Sequence, residues 1–241
     1  MATDPRIQLG ATSTRAGVEA TEIDQGLRTY MLRVYNYMGS ALALSGIVAI
    51  FAASSDTLMA AIFGSPLQWV VMLAPLGLVF FLSARINKMS ASAAQTTFWI
   101  FAALMGLSLS VVFLIYTPVS ITRVFFITAG TFGAMSLYGY TTKRDLTGVG
   151  SFMMMGLIGV IIASVVNMFL QSTALQFGIS VIGVLVFVGL TAYDTQKIRQ
   201  MYLETDGSET MSKKAVMGAL TLYLDFINLF MMLLHLFGNR R

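Results

Sequence analysis

Seven apolar blocks follow one another between Met31 and Phe237, each of about twenty residues and so able to cross the roughly 30 Å hydrocarbon core of a bilayer. The solvent for most of such a chain is lipid. Charged residues make up only 11% of the 241, against about 25% in a soluble domain. The blocks place spans at 31–54, 66–84, 93–116, 119–141, 149–170, 174–196 and 215–237, which makes the chain an all-α polytopic membrane protein. Pro66 opens the second span, where its missing N–H would be unpaired anyway, and Pro75 inside that span predicts a kink. Residues 1–27 are polar, with Asp4, Arg6, Arg15, Glu19, Glu22 and Asp24. They are expected to form a flexible cytoplasmic tail ahead of a single membrane domain, 28–241. No apolar stretch with a small-residue cleavage site precedes the first span, so no cleavable signal peptide is expected.

Basic residues set the expected orientation. The N-terminal side and the loops on that face carry Arg6, Arg15, Arg28, Arg33, Arg85, Lys88, Lys143, Arg144, Lys197, Arg199, Lys213 and Lys214. The opposite face has Arg123, Arg240 and Arg241. Twelve against three predicts a cytoplasmic N-terminus and a C-terminus on the far side, because basic loops stay in the cytoplasm. A re-entrant last span would instead return the C-terminus to the cytoplasm.

The same composition narrows the chemistry. With no cysteine and the single histidine His235, neither a thiolate metal site nor a paired-histidine zinc motif can be built. The net charge of +4 is unclustered, unlike a nucleic-acid-binding surface. A serine protease centre would need a serine and a histidine in reach, a retinal protein a mid-span lysine in the last helix. Neither pattern is present, and no enzyme and no resident cofactor is expected. The 17 methionines read as flexible packing, and small residues such as Gly130, Ala134, Gly156, Gly159, Gly178, Gly183 and Gly189 as close helix contacts.

Two acids break the apolar pattern. Asp225 lies in the middle of the seventh span and Asp194 near the basic end of the sixth. An acid at mid-membrane costs at least about 2.5–3.5 kcal/mol and normally faces a partner or a water-filled cavity. At about 3.6 residues per turn, Gly218, Thr221, Asp225, Asn228 and Met232 share one face of the seventh span. Ser180, Gly183, Phe187, Thr191 and Asp194 share a face of the sixth, with Phe187 as a bulky plug between its polar ends. The opposite face of the seventh span, Leu220, Ile227, Phe230 and Leu234, suits lipid or apolar neighbours. The two spans run antiparallel, so the carboxyls can meet; two touching carboxylates cannot both ionise cheaply and share a proton instead. Asp194 has a local alternative in an i,i+3 pair with Lys197. Arg85, at the basic end of the second span, is the long-range partner for either acid, or a snorkelling anchor. Asn228, Thr191 and Thr221 are the supporting polar residues.

Ala192-Tyr193-Asp194-Thr195-Gln196, taken with Leu222-Tyr223-Leu224-Asp225-Phe226-Ile227-Asn228-Leu229-Phe230, resembles the Bax inhibitor-1 family, also called the transmembrane Bax inhibitor motif family. The opening of the first span, Arg33-Val34-Tyr35-Asn36-Tyr37-Met38-Gly39, is similar to bacterial members. The resemblance covers residues 28–238. It implies a fold in which the seventh helix is central, an inner-membrane location, and a pH-sensitive calcium leak. In that leak two aspartates, matching Asp194 and Asp225, hydrogen-bond at the pore, and an arginine matching Arg85 latches them closed. Some members place a glutamate about three turns before that arginine; Leu73-Ala74-Pro75-Leu76 has no acid here, which weakens the case for a second calcium-attracting site. Other bacterial relatives are associated with modulating a membrane-bound protease.

The expected partners are therefore the bilayer and calcium or another cation. Calcium takes 6–8 oxygen ligands, so Asp194 and Asp225 with water and carbonyls make a transient site and not a cage. The alternative is a regulatory protein that acts on a membrane protease or stress pathway through its helices and tail. Orientation is directly testable. A cysteine placed in the Lys143 loop should stay protected from an impermeant reagent added to intact cells, while one at position 241 should label. A protected C-terminal cysteine would instead favour the re-entrant last span.

Overall fold

The computed structural model describes residues 5–241, with side chains from residue 25 onward. The polar tail expected over residues 1–27 therefore lies, up to residue 24, outside the described side chains. Eight α-helices follow in order: α1 Pro5–Ala53, α2 Asp56–Phe63, α3 Leu67–Arg85, α4 Ala91–Ile115, α5 Pro118–Thr141, α6 Thr147–Leu170, α7 Thr173–Gln200 and α8 Ser208–Phe237. In lipid the backbone must satisfy its own hydrogen bonds, and helices do so along each apolar block. Among the described residues seven helices are long and apolar enough to cross a membrane, α1 through its segment Gln25–Ala53. The chain is an integral, all-α membrane protein.

The hydropathy blocks miss α2, a short helix between the first two spans. It has a local start signal all the same: Ser55 Oγ accepts from the Leu58 N–H, and Asp56 stands in the first turn, where an acid complements the helix dipole. Helix α3 runs uninterrupted through Pro75. A tight turn joins α6 to α7. Gln171 adopts a left-handed conformation at φ 48°, and the Asn167 side chain accepts from the Ser172 N–H and donates to Gln176.

Helix α8 is the post around which the others stand. Of an 18-residue apolar stretch within it 67% is buried, against 11–33% for the corresponding stretches of the other six. It packs on α1, α4, α5 and α7. Leu220, Phe230 and Leu234, on the face away from Asp225, are buried against apolar neighbours and do not meet lipid. At 30 residues the helix is about 45 Å long. Beyond it the chain is tied to the α4–α5 turn: Thr117 N donates to the Asn239 carbonyl at 3.0 Å, Arg241 N to Ile115 at 2.9 Å, and Asn239 N to Ser120 Oγ at 2.9 Å. The last helix thus runs from one end of the bundle to the other, as a full crossing requires.

Close approach in the bundle depends on a few glycines. A Cβ at Gly139 of α5 would lie 2.1 Å from the Ala192 carbonyl oxygen of α7, and one at Gly106 of α4 would lie 2.6 Å from the Ser45 carbonyl oxygen of α1. Both obstacles are backbone, which cannot swing aside. By contrast, a Cβ at Gly130 meets nothing within 4 Å. Gly139→Leu should therefore cost about 1–3 kcal/mol or more through overpacking, read as a lower melting temperature and loss of monodispersity in detergent. Gly130→Leu should stay within about 0.5 kcal/mol of the native chain.

Candidate functional site

The basic end of α7 is enclosed on every side, unlike an ordinary amphipathic helix. From Thr191 to Gln196 all side chains but Tyr193 are buried. Each residue of Ala192-Tyr193-Asp194-Thr195-Gln196 meets a different neighbour. Ala192 takes α5 through Gly139, and the Tyr193 ring lies where a Cβ at Gly150 of α6 would be. Thr195 Oγ1 lies 3.0 Å from Ser136 Oγ of α5, which is 2.5 Å from the Tyr35 hydroxyl of α1. The Gln196 amide accepts from the Leu146 N–H at 2.9 Å and donates to the Arg144 carbonyl at 2.8 Å, which fixes the α5–α6 turn. Arg199 donates to the Tyr140 carbonyl at 2.7 Å and lies 5.5 Å from the centre of that ring.

Asp194 is the residue of this run that faces α8. Its carboxyl lies beside that of Asp225 in the seam between the two helices, and the two residues are 9% and 5% exposed. The antiparallel register extends on both sides of the pair. Gly218 of α8 packs on Ile198 towards the basic end, and Met232 packs on Gly183 towards the other. Asp225 Oδ2 is sealed from solvent, and no donor among the described residues meets it. A buried acceptor left bare costs about 1–3 kcal/mol, more if charged. A proton held between the two carboxyls removes that cost and the repulsion together.

No cation neutralises the pair among the described residues. Lys197 is exposed, 5.9 Å from the centre of the Tyr193 ring, so the local Asp194–Lys197 ion pair does not form. Lys214 is held by Asp206 at 2.5 Å and by the Met201 carbonyl at 2.8 Å. Arg85 is exposed at the end of α3 and makes no ion pair with either acid. The supporting residues turn inward on their own helices: Thr191 donates to Phe187, Thr221 to Met217 and Asn228 to Leu224. None of them reaches a carboxyl. Among the described residues no group of three or more His, Asp or Glu side chains forms a metal site.

Tyr35, Ser136, Thr195 and Gln196 went unrecognised as parts of the site in the sequence. Tyr35 lies in the opening stretch of α1, and Thr195 and Gln196 in the run after Asp194, so a signal was present. A second buried hydroxyl junction, also unforeseen, anchors the other half of α8. The Tyr223 hydroxyl lies 2.7 Å from Ser45 Oγ of α1, which is 2.6 Å from the Ala102 carbonyl of α4.

Comparison with known proteins places this geometry in a family. The family model described as inhibitor of apoptosis-promoting Bax1 matches residues 27–241, nearly all of the chain. Inner membrane protein YbhL of Escherichia coli is 51% identical over 219 residues, covering 90% of this chain and 94% of its own length. Protein RP147 of Rickettsia prowazekii is 52% identical over 218 residues, 90% of this chain and 92% of its own. A membrane protein of Streptococcus pyogenes, SpyM3_0260, is 38% identical over 91% of this chain and 96% of its own. With this coverage and the paired aspartates of its last two spans, the chain belongs to the Bax inhibitor-1 family.

Proposed function

We propose that the chain is a passive, pH-gated cation leak of a bacterial inner membrane, with Asp194 and Asp225 as both gate and ion-attracting charge. The observation that carries this reading is the contact of two carboxyls inside the buried seam between α7 and α8. When the pair shares a proton, the O–H···O bond joins the two helices and the charge available to a cation is small. When that proton leaves, two negative charges stand side by side in a poorly screened seam. They repel each other, and the same oxygens attract a cation. Calcium, a hard ion that takes oxygen ligands, is the proposed cargo. The bundle offers it no cage, which suits passage better than storage. The location follows that of the relative YbhL, an inner membrane protein.

Arg85 enters as a regulator. In the conformation described it is exposed and apart from the acids, so a latched state requires α3 or the arginine side chain to move. A guanidinium brought to the pair would favour the charged form of the acids while blocking the path.

Flux of calcium and of protons into liposomes holding only the purified chain tests the reading across pH. Flux should rise as pH rises through the titration of the pair, because deprotonation removes the helix-joining bond and creates the attracting charge. Asp225→Asn should flatten the pH dependence, whereas Phe169→Leu on the lipid face should leave it intact. Absence of flux at every pH would favour the regulatory reading, in which the chain acts on a membrane protease. A double-mutant cycle adds the test for Arg85. If the arginine works through the acids, Arg85→Ala should have little further effect in Asp194→Asn, whereas independent residues add within about 0.5 kcal/mol.

A further inference from the structure

Helices α1 and α5 both lean on the bundle core yet leave a slot between them. The slot is a groove of about 600 Å³, lined on one side by Met31, Leu32 and Met38 and on the other by Phe132, Gly133 and Leu137. A Cβ added at Gly133, or at Gly39 across the slot, would meet nothing within 4 Å. The small residues that elsewhere bring helices together here border open space. Leu32 and Leu137 are 53% and 63% exposed, so the groove opens sideways into the bilayer. From Arg28 to Gly39 it runs about 16 Å along α1, half of the roughly 30 Å hydrocarbon thickness, and thus lies within the leaflet on the basic side.

A second recess, of about 640 Å³, adjoins its end. Leu27 and Thr141 line this recess, and their chain neighbours Arg28 and Tyr140 line the groove. The recess presents Lys143, Arg144 and Arg199. Arg199 is oriented by its bond to the Tyr140 carbonyl and its stacking on that ring. The acid of the recess, Asp145, accepts from both the N–H and the hydroxyl of Thr147. Four basic side chains against one acid, at the mouth of an apolar slot one leaflet deep, complement an anionic head joined to a hydrocarbon tail.

We propose that this groove and recess bind an anionic phospholipid, with the phosphodiester at Arg28, Lys143, Arg144 and Arg199 and an acyl chain between α1 and α5. Basic pockets between membrane helices are suited to anionic head groups, and arginine matches the phosphate oxygens geometrically. The groove fits the tail because a lateral slot left empty forfeits dispersion contacts along both walls. The acyl chain then lies against Tyr35 and Ser136, the outer members of the hydroxyl chain that ends on Thr195, next to Asp194. The assignment stands apart from any ion flux.

Native mass spectrometry of the delipidated full chain in detergent tests it, with phosphatidylglycerol, phosphatidylcholine of the same acyl chains, and glycerol phosphate as probes. Phosphatidylglycerol should be retained at least about tenfold more tightly than phosphatidylcholine. Lys143→Gln combined with Arg144→Gln should remove most of that preference. These two side chains are exposed in the α5–α6 turn, and the Gln196 bond uses the Arg144 backbone, so the fold is spared. Gly133→Leu, whose Cβ enters open space, should weaken phosphatidylglycerol binding in a chain that stays monodisperse. Equal retention of the two lipids, or full binding in the Lys143/Arg144 variant, would overturn the head-group assignment. Undiminished binding in Gly133→Leu, or competition by glycerol phosphate as strong as by the lipid, would overturn the acyl-chain assignment.

Discussion

A carboxyl oxygen buried without a donor is the constraint on which the rest of the site depends. Asp225 stands on the most enclosed helix of the bundle, and its Oδ2 meets neither solvent nor a donor among the described residues. In a medium that cannot supply water, such an acid is tolerable beside a group that can hold or share its proton. Asp194 is that group. The need to bring the two together fits the burial of α7 from Thr191 to Gln196, where the residues beside Asp194 reach α5, α6 and the turn between them.

The contact is held by features well away from the carboxyls. Gly139 lets the α7 backbone approach α5, Gly150 makes room for the Tyr193 ring, and Gly183 and Gly218 set the α7–α8 register. Hydroxyl bridges then fix the helices where apolar packing alone would leave them free to slide. Tyr35–Ser136–Thr195 joins α1, α5 and α7 in one leaflet, and Tyr223–Ser45–Ala102 joins α8, α1 and α4 further in. Between helices in hydrocarbon there is no hydrophobic drive to associate, so small residues and interhelical bonds carry the packing. The central helix is held tightly while the slot between α1 and α5 stays open, because no such bond spans the slot's lipid-facing rim.

Family membership adds identity without adding geometry. The relatives cover this chain almost end to end, so the seven-helix unit is the shared object. Arg85 illustrates the difference between an implied role and a described position. The family resemblance assigns it a latch, yet here it is exposed, away from the acids.

Sequence by itself determined the number of crossings, their places to within about seven residues, the two acids and the helix face that carries each. All of these are properties of one segment at a time, set by hydropathy along the chain and by the helical repeat. The short helix α2 escaped because eight residues are too few to register as a span, although Ser55 and Asp56 marked its start. Only the tertiary structure decided that the carboxyls lie side by side, that Lys197 lies over a ring and not on Asp194, that Thr191, Thr221 and Asn228 bond their own helices, and that a groove opens between α1 and α5. Those facts depend on how closely two helices approach and how far each is rotated. Glycines on one helix and backbone carbonyls on another, far apart in sequence, set those quantities jointly, and no single segment carries that information.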